Sequence, residues 1–129
     1  MHERPQLPTS TVLVVDDQPL ILALLQEFLN DCGFQVLAAQ NGSQAEQVSA
    51  NHGGAIHLLI TDIEMPDGDG LTLAQKLKAQ RPDMAVIYMS GSLKTLSQSS
   101  VEFMDGSICL EKPVIFSDLQ AAISTLLTR

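Results

Sequence analysis

Five residues able to do chemistry follow short apolar runs in this chain. Asp16 and Asp17 come directly after Val12 to Val15, Asp62 shortly after Ile56 to Ile60, Ser90 after Ala85 to Met89, and Lys112 shortly after Ile108 to Leu110. If those runs are parallel strands of one sheet, their carboxyl ends share an edge, and that edge is where open α/β sheets build ligand sites. Three carboxylates, a hydroxyl and a lysine then converge. Aspartates crowded together repel one another, so at neutral pH they require a cation beside them or raised pKa values. A hard divalent cation is the natural partner, and magnesium takes a few carboxylates together with waters and a phosphate. In this reading Asp17 and Asp62 ligate directly and Asp16 holds a metal-bound water. Lys112 supplies a compact charge for a carboxylate or phosphoryl oxygen. Ser90 adds a small hydroxyl beside Gly91, whose bare backbone lets a ligand approach.

Metal, lysine and hydroxyl around a carboxylate suit phosphoryl transfer, where the protein's tasks are positioning and charge neutralisation. Asp62 is the candidate nucleophile and would become an aspartyl phosphate. No histidine joins it as a base: His2 lies in the leading segment, His52 ends a helix and His57 begins a strand. A carboxylate nucleophile needs no deprotonation, so none is required. Taken singly, each residue also has a structural reading, with Asp17 as a helix cap, Asp62 in a turn, Ser90 in a loop and Lys112 as a solvated charge. Their recurrence at successive strand ends favours the site.

The elements that must position these residues follow from periodicity and punctuation. Pro19 sits where a helix can start, and Leu20, Ile21, Leu24, Leu25, Phe28 and Leu29 recur at helical spacing until Gly33 closes the helix. Phe34 to Ala39 reads as a strand, and Asn41 and Gly42 turn into a helix in which Ser43 and Glu46 have capping-box spacing. That helix ends near Asn51, and Gly53 and Gly54 lead into the third strand. MPDGDG reads as a polar loop before a helix with Leu71, Ala74 and Leu77 on one face, stopped by Arg81 and Pro82. Ser92 to Ser100, rich in serine, predicts a short fourth helix that is weakly held. A last helix, capped by Ser117 or Asp118, turns Leu119, Ala122, Ile123, Leu126 and Leu127 inward. The sum is βα repeated five times, with strands apolar enough for a parallel sheet covered on both faces.

Bulk properties narrow the function. A chain of 129 residues, 45% hydrophobic, fits one domain with a real core. We place that domain at residues 11–129, after a flexible segment over residues 1–10 that has two prolines and no signal-peptide core. No apolar run approaches the roughly 18 residues of a membrane span, and the expected location is the cytoplasm. A net charge of −8 argues against direct binding of nucleic acid. Cys32 and Cys109 are too few and too distant for a metal quartet, and both read as small core residues.

With those residues in view, the chain resembles the receiver domain of two-component response regulators. VLVVDDQP is similar to the family's acidic pair after the first strand, TDIEMPDGDG to its phosphoacceptor loop, YMSG to its hydroxyl position, and EKP to its lysine and proline. The likeness runs from about Val12 to Leu127. It implies a doubly wound (βα)5 flavodoxin-like three-layer sandwich, α/β in class, with a five-stranded parallel sheet of order 2-1-3-4-5. It also implies that Asp62 accepts a phosphoryl group from a phosphohistidine of a sensor histidine kinase or histidine phosphotransfer protein. Magnesium would be held by Asp16, Asp17, Asp62 and the backbone carbonyl of Glu64. Lys112 and Ser90 would meet the phosphoryl oxygens, the Lys112 to Pro113 bond would be cis, and a downstream target would bind the face of helix 4, strand 5 and helix 5. Glu64 and Ser92 lie where the family tunes the lifetime of the aspartyl phosphate. The sequence departs from the pattern at Cys109, where the family carries a switching aromatic.

Three other readings compete. A magnesium-dependent phosphatase of the haloacid dehalogenase kind expects its nucleophile at the first strand in a D-x-D pattern, which VVDDQP does not supply. A receiver-like scaffold would need none of the acidic, hydroxyl and lysine set. A flavin-binding flavodoxin would follow its first strand with a phosphate-cradling loop and not with acids. No output domain follows Arg129, so the chain reads as a free-standing regulator, a receiver cut from a longer one, or a hybrid-kinase receiver.

Overall fold

Valine, isoleucine and leucine fill the strand runs so completely that both faces of each strand are apolar, and the fold buries both. The computed structural model describes residues 10–66, 68–91 and 106–128. Strands β1 (Thr11–Val15), β2 (Gln35–Ala39), β3 (Leu58–Asp62), β6 (Ala85–Ser90) and β7 (Ile108–Glu111) form one parallel sheet in the order β2-β1-β3-β6-β7. Counted within that sheet the order is 2-1-3-4-5, the flavodoxin-like arrangement. A short antiparallel ribbon, β4 (Glu64–Met65) with β5 (Gly68–Asp69), occupies what the sequence suggested was plain loop.

Side chains alternate across a strand, which divides the core in two. Leu13, Val15, Leu59, Val86, Tyr88 and Cys109 pack with α2 (Gly42–Asn51) and α3 (Gly70–Gln80) on one face. Val12, Val14, Leu58, Ile60, Ile87 and Met89 pack with α1 (Pro19–Asp31) and α4 (Phe116–Leu127) on the other. Among the described residues there are four helices, none long and apolar enough to cross a membrane. Residues 1–9 of the leading segment and the helix expected over 92–100 lie outside the described residues.

Several expectations need correction. In α1 the buried row is Leu22, Leu25 and Leu29, whereas Leu20 is 72% and Leu24 46% exposed. The helix is apolar on more than one face, so spacing alone could not choose which face meets the sheet. For the same reason α3 buries Leu73, Ala74 and Leu77 and leaves Leu71 at its surface. The cap of α2 is Asn41, whose Oδ1 accepts from the Gln44 amide at 2.8 Å while Gln44 Oε1 accepts from the Gln40 amide at 2.9 Å. Ser43 and Glu46 are not the pair. Helix α4 begins at Phe116, capped by the backbone of Ile115 with no side-chain bond, so Ser117 and Asp118 lie inside it. The Phe116 ring stacks on Phe28 of α1 at 4.3 Å. Cys109 is buried as expected, but Cys32 is only partly so.

Candidate functional site

Register brings the acids together. Val15 of β1 pairs with Thr61 of β3, so the residues that follow, Asp16 and Asp62, meet across the top of neighbouring strands. Asp16 is held there by its own amide, which donates to the Ala39 carbonyl at 3.2 Å, and its Oδ1 accepts from the Gln18 amide at 2.9 Å. Asp62 is 1% exposed and Asp16 fully buried. Carboxylate oxygens of Asp16, Asp17 and Asp62 all lie within 4.8 Å of one another, with Asp17 the most open to solvent.

The other side of the site is built from β6 and β7. Ser90 ends β6 beside Glu111, and the Lys112 amide donates to the Ser90 carbonyl at 2.9 Å, extending the pairing by one residue. The lysine side chain then reaches back over the edge, placing Nζ 2.8 Å from Asp62 Oδ1 and 3.5 Å from Asp16 Oδ2. The Lys112 to Pro113 bond is cis. Ser90 is buried, and its Oγ donates to Glu64 Oε2 at 2.8 Å.

All five residues selected from the sequence therefore stand at one edge. Sequence reasoning did not find two further features. The Glu64 side chain takes the Ser90 hydroxyl, a contact over 26 residues with no local signature. Gly70, the last glycine of MPDGDG, starts α3 directly against the Asp62 carbonyl; a Cβ there would sit 1.9 Å from that oxygen.

Electrostatics follow from burial. Loss of water pushes the Asp62 carboxyl up from 3.8 to about 7, with Lys112 opposing the shift and the negative Asp16 adding to it. Burial alone would lower the Lys112 ammonium, but Asp62 and then Asp16 outweigh it and the net direction is upward. Cys109 is pushed up to about 11, by burial first and by Glu64 second, so at neutral pH it is a thiol and a poor nucleophile. Asp62 Oδ2 is buried with no hydrogen-bond partner among the described residues. Three crowded carboxylates facing one lysine, with an orphaned buried oxygen among them, fit a hard divalent cation bound through oxygen.

Comparison with known proteins identifies the family of the chain. Residues 12–124 match the family model described as the response regulator receiver domain. The chain is similar to the autoinducer 1 sensor kinase/phosphatase LuxN of Vibrio campbellii, with 33% identity over 121 residues that make up 92% of this chain and 14% of LuxN. It is also similar to the transcriptional regulatory protein AruR of Pseudomonas aeruginosa, 42% identical over 83 residues, which is 62% of this chain and 34% of AruR. The chain thus spans a minor part of both curated relatives. Among solved structures, the receiver domain of the hybrid histidine kinase CckA superposes with a TM-score of 0.79 at 27% identity, covering 92% of this chain and all of that one.

Proposed function

The chain belongs to the response regulator receiver domain family, and from that premise we propose that Asp62 takes a phosphoryl group from a phosphohistidine and that the domain switches state in a two-component phosphorelay. The observation that carries this reading is the Lys112 ammonium, 2.8 Å from Asp62 Oδ1 within a cluster of three carboxylates. That arrangement holds a nucleophilic carboxylate beside a fixed positive charge in a desolvated place, where electrostatic help is worth most.

The step is a substitution at phosphorus. A carboxylate oxygen of Asp62 forms the new P–O bond as the P–N bond breaks, and the electron pair of that bond leaves with the donor's imidazole. Lys112 faces the charge that gathers on the phosphoryl oxygens and holds Asp62 and Asp16 in place. Ser90 offers one hydroxyl donor at the same edge. Asp16, Asp17, Asp62 and the Glu64 carbonyl would hold a magnesium ion, which neutralises phosphoryl charge when bound. In this reading the domain is a phosphoprotein that works in the cytoplasm and carries out only its own phosphorylation and dephosphorylation.

The phosphodonor is a sensor histidine kinase or a phosphotransfer protein, a reading supported by the likeness to the sensor kinase LuxN. Leu20 and Leu24, exposed on α1, give an apolar rim on which such a donor protein can dock. A downstream target would take the face formed by the helix expected over 92–100, β7 and α4.

The test is the intact mass of the protein and of Asp62→Asn after incubation with acetyl phosphate, with and without magnesium. A phosphoryl adduct that requires both Asp62 and magnesium is expected. An equal adduct on Asp62→Asn would remove Asp62 as nucleophile. An unmodified wild type that also fails to bind beryllofluoride would turn the reading toward a scaffold.

A further inference from the structure

Ser90 has one hydroxyl proton, and in this structure that proton is directed to Glu64 Oε2 at 2.8 Å. The same proton cannot also be given to a phosphoryl group on Asp62. Glu64 lies on β4, opposite Asp69 across the ribbon, with its side chain exposed, whereas Ser90 is buried at the end of β6. The two ends of this bond therefore differ: the carboxylate can return to water at little cost, whereas the hydroxyl stays buried at the strand end.

We infer that the Glu64 carboxylate is a positioning residue that competes with the phosphoryl group for the Ser90 hydroxyl and so sets the threshold at which Asp62 modification engages Ser90. This rests on the phosphoacceptor reading of Asp62. Before modification Glu64 satisfies the buried hydroxyl and keeps it committed to the ribbon. A phosphoryl group adds ≈ −1.5 to −2 charges and three strong acceptors at the same edge, enough to draw the proton from a solvated carboxylate. Glu64 then turns to water and the ribbon loses its tie to β6. The ribbon leads directly into α3, whose Thr72 amide donates to Asp69 Oδ1, so release of Glu64 acts on the start of that helix.

Beryllofluoride binding to the full chain at saturating magnesium, followed by titration calorimetry, tests this in four proteins: wild type, Glu64→Ala, Ser90→Ala and the double variant. Glu64→Ala is expected to bind about five- to tenfold more tightly than wild type, since Ser90 is no longer withheld. In the Ser90→Ala background the same substitution should change affinity less than about twofold. No gain in Glu64→Ala, or an equal gain in both backgrounds, would overturn the inference, the latter because simple charge repulsion would then explain it. Failure is distinguishable from failure of the phosphoacceptor reading. A wild type that binds no beryllofluoride and forms no adduct sinks both, whereas a wild type that binds normally leaves only the role of Glu64 at stake.

Discussion

Replacing Gly70 by alanine should damage both the stability of the domain and the chemistry of Asp62. Gly70 is the first residue of α3, and its amide donates to the Ile63 carbonyl at 2.8 Å. Its φ is not positive, so space and not backbone conformation demands glycine. An added Cβ would lie 1.9 Å from the Asp62 carbonyl oxygen, 2.9 Å from the Asp62 carbonyl carbon and 3.1 Å from Thr61 Cγ2. Clearing the first contact requires a backbone shift of roughly 1 Å, and a backbone atom of a central strand cannot rotate aside as a side chain can. Overpacking of this kind costs about 3 kcal/mol, the upper part of the usual range, which corresponds to roughly 10 °C in Tm for a chain of this size. The displaced group belongs to Asp62, and misplacing a reacting group by ~1 Å can slow a reaction about 100-fold. Urea unfolding and the rate of adduct formation with acetyl phosphate measure the two effects. Gly42→Ala is the control, because its Cβ would meet nothing closer than Leu73 Cδ1 at 4.0 Å, and alanine there should be neutral or add about 0.5 kcal/mol. If Gly70→Ala matched wild type within about 0.5 kcal/mol and reacted at the same rate, the close approach of α3 to Asp62 would not be what the site depends on.

Burial of Asp62 gives a pH-dependent prediction. Its folded pKa is raised from 3.8 to about 7, so its contribution is fully present below the unfolded value and is lost as pH rises through about 7. A shift of that size corresponds to at most about 4 kcal/mol of cost to the ionised form, part of which Lys112 offsets. Asp62→Asn in metal-free buffer should therefore be more stable than wild type by about 1–3 kcal/mol at pH 8, with the gain shrinking toward pH 4; a less stable variant at pH 8 would contradict this. Arg81 binds Ser49 Oγ and the carbonyls of Ser49, His52 and Gly54 at 2.8 to 3.2 Å, tying α3 to the end of α2. Arg81→Ala should cost about 2–3 kcal/mol in chemical unfolding, and Arg81→Lys should recover less than half, since one ammonium cannot reproduce the planar fork. Leu20→Ser should leave stability within about 0.5 kcal/mol, because that side chain is 72% exposed. It should slow phosphotransfer from a histidine phosphotransfer protein while leaving the acetyl phosphate reaction unchanged; equal slowing of both would speak against α1 as the docking rim.

The sequence by itself determined a great deal. Runs of β-branched and leucine residues broken by glycine, proline and asparagine are enough to announce five parallel strands with covering helices, because a strand buried on both faces has no polar alternation to hide. Placing Asp16, Asp17, Asp62, Ser90 and Lys112 at the ends of those runs was sufficient to foresee one edge. Features that depend on which surfaces meet were decided by tertiary structure alone. Apolar spacing in α1 was compatible with burying Leu20 and Leu24 or Leu22 and Leu25, and only packing against the sheet selected the second set. The cap of α2 went to Asn41 and not Ser43, since the helix begins where the chain leaves β2. The bond from Ser90 to Glu64, the lysine folded back onto Asp62 and the contact that forbids a side chain at Gly70 all join residues distant in sequence. Their pairing is set by strand register and helix approach, quantities with no counterpart in local composition.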